Sequence, residues 1–203
     1  MLTDEDIDQP RTPSELRAFV EAVTEEVNTD ETERHKGIMK TGVYKRYIEE
    51  VLPLSYYAGI EYSDQYRIQP VKGNQGYDAN VFNSAGNLVE RIEITSPQDG
   101  RAEAEDARLL VERGYGEAHV YGSDEQIDQL RPHITATGLK KSQKDYSDAT
   151  LVIVLDLLAL PEPLRARQDE AIATLAADLS GIPFKARRVR LFIPPDRVVD
   201  VAG

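Results

Sequence analysis

The 203-residue chain has no cysteine and no tryptophan, two methionines and three histidines. Without cysteine there is no disulfide, no thiolate nucleophile and no cysteine-ligated zinc, a composition that fits a reducing compartment and leads us to expect a cytoplasmic protein. His35, His119 and His133 show no paired spacing of the kind that builds an imidazole metal site. No apolar run approaches the roughly 20 residues of a membrane helix, and the flanks of a signal peptide are not seen. Gly73-Asn74-Gln75-Gly76 lacks the Lys-Ser/Thr ending and following helix of a phosphate-binding P-loop. There is likewise no G-x-S-x-G elbow and no H-E-x-x-H pair.

Positive charge is also scarce, with a formal net charge of -12. Duplex binding uses Lys and Arg to displace counterions, so this balance argues against a nucleic-acid partner. Its distribution softens the argument. Residues 1–33 hold eleven acidic and two basic side chains, leaving 25 acidic and 22 basic over the rest of the chain. Basic residues gather at Arg34, Lys36, Lys40, Lys45 and Arg46, at Lys140, Lys141 and Lys144, and at Lys185, Arg187, Arg188 and Arg190. Each cluster reads either as solvated surface or as a grip on phosphate.

The length suits one domain, and no repeat or Gly/Ser linker divides it. Residues 1–11 are acidic and poor in apolar side chains and read as a flexible tail, with a single α/β domain over 12–203. Thr12-Pro13-Ser14-Glu15 has the pattern of a capping box with proline at the first helical position. Leu16, Phe19, Val20, Val23 and Val27 then form an apolar stripe, so an acidic helix is expected over 12–28. A second helical pattern runs from Thr41 to Leu52, which Pro53 should end or kink. Tyr44, Tyr47, Tyr56 and Tyr57 fall at helical spacings that suit core packing better than base stacking.

Further on, 66–71 suits a strand, 101–113 a helix with Ala104, Ala107, Leu110 and Val111 inward and Gly114 as its stop, and 118–121 a short strand. Ile134 to Leu139 alternates like an edge strand within the otherwise unassigned stretch 122–148, a candidate lid or long loop. The run Ala149 to Asp156 is apolar but for Thr150 and its terminal Asp156 and suits a strand covered on both faces. A helix over 163–179 and a strand over 189–193 complete the order, which predicts a mixed central sheet flanked by helices.

The most informative stretch is 76–95. Period-two alternation places Leu88, Glu90, Ile92 and Ile94 on one face of a strand and Val89, Arg91, Glu93 and Thr95 on the other, while Tyr77 to Phe82 suits a partner strand and Asn83-Ser84-Ala85-Gly86-Asn87 a turn. The hairpin so formed brings Asp78 toward Glu93, in a register that a one-residue slip would invert. Two or three converging carboxylates suit Mg²⁺, a hard cation that lowers the pKa of bound water and offsets phosphoryl charge.

This element order, with Asp78 on one strand and Glu93-Ile94-Thr95 on the next, resembles the PD-(D/E)XK nuclease superfamily over roughly residues 44–156. The resemblance implies a restriction-endonuclease-like fold and a metal-dependent nuclease cutting DNA phosphodiesters, with Mg²⁺, or Mn²⁺ as a substitute, held by Asp78 and Glu93. It also implies a further acid from the preceding helix, Glu49 or Glu50, of which Glu49 is the one assigned. The motif's lysine is replaced by Thr95. Three readings follow: Lys140, Lys141 or Lys144 reaches in, with Lys141 assigned; or the metal suffices alone; or the fold has lost its chemistry and acts as a binding module. Lys140, Lys141 and Lys144 are also the expected phosphate contacts, and Gln98 could position water. Expected partners are DNA, a protein docking on the acidic N-terminal helix, or a second copy of the chain in a homodimer.

Overall fold

In the computed structural model, which describes residues 2–73, 75–97, 100–114, 123–157 and 164–201, the chain opens with helices α1 (Asp4–Ile7), α2 (Pro13–Thr29), α3 (Glu31–Ile38) and α4 (Val43–Arg46). A π-helical turn, Tyr47–Val51, leads into α5 (Leu52–Glu61). Strands β1 (Arg67–Pro70), β2 (Ala79–Phe82) and β3 (Leu88–Thr95) follow, then α6 (Gly100–Arg113), α7 (Ser123–Ser142), β4 (Asp145–Val154), α8 (Leu164–Ser180), β5 (Lys185–Ile193) and β6 (Arg197–Val201). All six strands form one sheet in sequence order. Pairing is antiparallel from β1 to β3, parallel from β3 to β5 and antiparallel again between β5 and β6. Each parallel step has helices between its strands in the chain, because a parallel neighbour needs a long crossover.

Two apolar cores sandwich the sheet. Ile68, Val81, Ile92 and Val152 face α2 and α5, where Leu16, Val20, Leu54 and Tyr57 are buried. Leu151, Ile153 and Leu191 face α7 and α8, where Ile134, Leu175 and Leu179 are buried. Strand β4 feeds both cores with alternate residues, which explains its unbroken apolar run. Of the four tyrosines expected to pack, Tyr44, Tyr47 and Tyr57 are buried and Tyr56 is half-buried against the same core.

The α2 cap forms as expected, with Glu15 N–H donating to Thr12 Oγ1 at 3.2 Å and Thr12 N–H donating to Glu15 Oε2 at 2.9 Å. The segment before it departs from expectation. Residues read as a flexible tail are folded onto the body, with Ile7 fully buried and Arg11 bridged to Ile68. Composition misleads here because the acids have built-in partners: Arg46 pairs with Asp4 at 3.2 Å and with Asp8, and Lys72 pairs with Asp4 at 2.5 Å.

Pro53 neither ends nor breaks its helix. The π-helical turn just before it shifts the hydrogen-bond register, with Leu52 N–H donating to Tyr47 O, and so absorbs the missing proline N–H while the helix continues to Glu61. From Ser123 on, the stretch expected as a lid or long loop is helix α7 followed by the start of β4. Ile134 to Leu139, expected as an edge strand, lies inside α7, where a Cβ on Gly138 would sit 2.9 Å from Ile182 and 3.1 Å from Leu179. Close approach of α8, rather than strand alternation, accounts for the small and β-branched residues there. Helix α6 stops at Gly114, whose φ of 74° suits glycine, but its expected inward face is not buried, since Ala104 and Leu110 are exposed. Strand β6, after the Pro194-Pro195 turn, was not anticipated. The expected strand at 118–121 lies outside the described residues. Among the described residues no helix is long and apolar enough to cross a membrane.

Candidate functional site

The hairpin that carries the acids is set by its turn. Asn83 Oδ1 accepts from the N–H groups of Ala85 and Asn87, both at 3.0 Å, and Gly86 takes a φ of 78° that a side chain would resist. The resulting register pairs Ala79 with Ile92 and Asn80 with Arg91, with a bulge at Val81/Phe82. Ile92 and Ile94 are buried in the core shared with α2 and α5, and Glu93 alternates to the other side, toward α7.

Asp78 stands one residue before β2. Its N–H donates to Ile92 O at 2.8 Å, and its Oδ2 accepts from Ile94 N–H at 2.7 Å, so the carboxylate is strapped alongside the strand segment that carries Glu93. Glu93 is buried, and its Oε1 accepts from Lys141 Nζ at 2.5 Å and from the Tyr146 hydroxyl at 3.3 Å. Lys141 comes from the last turn of α7 and Tyr146 from β4. Asp78 Oδ1 and Glu93 Oε2 have no hydrogen bond among the described residues.

Burial pushes the Asp78 carboxyl up to about 7, and the nearby charges of Glu93 and then Glu50 push the same way, against the Ile94 N–H and Lys141. Glu50 is itself raised, first by burial, with Arg46 opposing and Glu49 and Glu93 adding to the rise. Glu50 is therefore the helix acid whose charge is felt at the Asp78–Glu93 pair. Glu49, the one assigned from the sequence, instead pairs with Lys40 at 3.6 Å and lines an adjoining cavity. The two residues are neighbours within the π-helical turn Tyr47–Val51.

Thr95 lies two residues beyond Glu93 on the same strand face, half-buried and paired with Ile153. Lys141 is the basic side chain that reaches Glu93, while Lys140 and Lys144 are exposed. Gln98 lies outside the described residues. Two basic clusters are largely consumed internally. Arg46 binds Asp4, Asp8 and Glu50, Lys36 binds Glu33 at 2.8 Å, Arg188 binds Glu90 at 2.8 Å and Arg190 binds Asp200 at 2.8 Å.

Glu90 was passed over in the sequence. It is a buried acid on the core face of β3, and it accepts from Thr150 Oγ1 at 2.5 Å, Tyr62 Oη at 2.7 Å and Arg188 Nη2 at 2.8 Å. These partners outweigh burial and hold its carboxyl below the usual range. Its place at an apolar position of the alternation was the signal that could have revealed it. A carboxylate so fully satisfied is a structural anchor between β3, β4 and β5.

Among the described residues no three acidic or imidazole side chains stand close enough to make a ready metal-binding group. What the geometry offers a hard cation is the pair Asp78 and Glu93, each with one oxygen that has no hydrogen bond among the described residues, Glu50 as a further acid whose charge is felt at Asp78, and the Lys141 ammonium on Glu93 Oε1. No protein-family model matches the chain, and no curated protein or solved structure is significantly similar to it.

Proposed function

We propose that the chain is a divalent-metal-dependent nuclease on a restriction-endonuclease-like core, hydrolysing DNA phosphodiester bonds. The observation that carries this reading is the Lys141–Glu93 contact beside Asp78: it puts an ammonium next to the acid pair although the strand itself offers only Thr95. The sheet order supports it as well, with three antiparallel strands, a helical crossover and a parallel fourth strand placing the acids at the open end of β2 and β3.

The donor set fits Mg²⁺, because carboxylate oxygens are hard ligands and a cation would offset both the burial and the neighbouring acids that raise the carboxyls of Asp78 and Glu50. Bound by Asp78 and Glu93 with Glu50, Mg²⁺ or Mn²⁺ would supply an activated water and offset phosphoryl charge. The chain's own groups do the rest. Tyr146 holds Glu93 from the buried side, and the Ile94 N–H fixes Asp78. Lys141 brings a positive charge to the place where a phosphoryl oxygen becomes more negative in the transition state. Lys140 and Lys144, exposed on the same helix end, hold the nucleic-acid backbone.

Purified protein incubated with single-stranded and duplex DNA in Mg²⁺ or Mn²⁺ is expected to cleave at least one form, and EDTA to stop it. Intact DNA in both ions contradicts the reading.

A second reading, a nuclease-like fold that has become a binding module, draws on two observations. Among the described residues no compact three-acid group is formed, and many basic side chains are tied to internal acids. DNA binding without cleavage would favour it.

A further inference from the structure

Beside Ser96, just past the end of β3, lies a cavity of about 600 Å³ that the hydrolysis proposed above does not use. It opens at the carboxyl ends of the parallel strands, bounded by Ser96 after β3, Asp156 after β4 and Pro195 after β5, and closed on the helical side by Leu52 and Tyr56. The volume lies within the range that takes small organic ligands.

We propose that this cavity takes an unpaired nucleobase of a single-stranded substrate, one whose backbone passes the Asp78–Glu93 pair. The inference rests on the nuclease reading and names its substrate class. Three features favour a base. Tyr56 is the aromatic side chain that lines the cavity; its ring also borders a neighbouring groove, from which the Arg17 guanidinium stacks on it at 3.6 Å. The rim carries Asp156 and the Glu49 carboxylate, the latter paired with Lys40 at 3.6 Å, so it presents acceptors for the exocyclic amine of adenine, cytosine or guanine. Ser96 is three residues beyond Glu93, so the cavity begins about 10 Å along an extended strand from the acids, within reach of a base whose phosphate lies at them. A base inside a duplex is stacked and paired and cannot enter without being extruded, so single strands are favoured.

The test uses the full chain in Ca²⁺ with oligonucleotides carrying 2-aminopurine, single-stranded or duplex. Anisotropy reports binding, and 2-aminopurine fluorescence reports stacking. Saturable quenching is expected with the single strand and not with the duplex. Tyr56→Ala should weaken single-strand binding about 5- to 100-fold and abolish quenching, as loss of one base–aromatic stack does, while Tyr56→Phe preserves both. Asp156→Asn, at an exposed position, should narrow the preference for amine-bearing bases over thymine. Binding without quenching, or unchanged affinity and base preference in Tyr56→Ala and Asp156→Asn, overturns the base site and leaves the nuclease reading standing. Failure to bind either form overturns both.

Discussion

Lys141 Nζ and Glu93 Oε1 lie 2.5 Å apart although 48 residues separate them in the chain. Both side chains are largely buried, at 14% and 9% exposure, so the pair sits where each charge depends on the other. Helix α7 therefore delivers an ammonium to the acid that strand β3 presents.

Lys141→Met should lower single-turnover DNA cleavage by about 100-fold, the usual scale for losing one transition-state charge contact. It should also cost stability on the order of 3 kcal/mol, because Glu93 stays buried with only Tyr146 as partner. Adding Thr95→Lys, which puts an ammonium two residues along the same strand face, should restore part of the lost cleavage. Quench-flow assays and urea titrations measure the two effects.

Asp78 gives a pH signature. Its carboxyl lies near 7 in the folded protein against 3.8 as the ordinary value, so the folded state holds a proton that the unfolded chain has released between those pH values. Stability therefore falls as pH rises from about 4 to 7 and is level above. Asp78→Asn removes that loss. In metal-free buffer its stabilising effect should be greater at pH 8 than at pH 5 by up to about 3 kcal/mol, from 1.36 kcal/mol per pH unit. Equal effects at both pH values would contradict the burial of an uncompensated charge at this position.

Glu50 and Glu49 should separate cleanly. Glu50→Gln is expected to weaken Mn²⁺ binding in calorimetry by about tenfold or more, the scale of losing a group that orients or shares a metal site. Glu49→Gln, which breaks the pair with Lys40, should leave it close to the parent value. The opposite order would return the third-acid role to Glu49.

The N-terminal segment should behave as core. Ile7→Ala should cost about 2–4 kcal/mol in chemical denaturation, as for other fully buried large-to-small changes. A frayed tail would show no loss.

Much of the α/β order was legible because its signals are local: the capping box at Thr12, the two-faced apolar run of β4 and the alternation of β3 each follow from a few neighbouring residues. The register that brings Asp78 to Glu93 was legible too, since burial of Ile92 and Ile94 leaves little choice. What sequence could not supply was long-range. The contact of Lys141 with Glu93 depends on α7 being a helix, and the β-branched residues Ile134, Thr135 and Thr137 imitate a strand until α8 is seen against Gly138. The choice of Glu50 over Glu49 hangs on tertiary contacts, since Glu49 pairs with Lys40 while the charge of Glu50 is felt at Asp78. Folding of the acidic N-terminus depends on Arg46 and Lys72, far along the chain.

The central claim is that Asp78 and Glu93 act together in metal-dependent cleavage of DNA. The most direct measurement compares single-turnover cleavage in Mg²⁺ and Mn²⁺ by the parent protein, Asp78→Asn and Glu93→Gln, with thermal unfolding of each as a control. Cleavage by the parent, lost in both variants while each remains folded, is the predicted result; cleavage that survives both substitutions contradicts it.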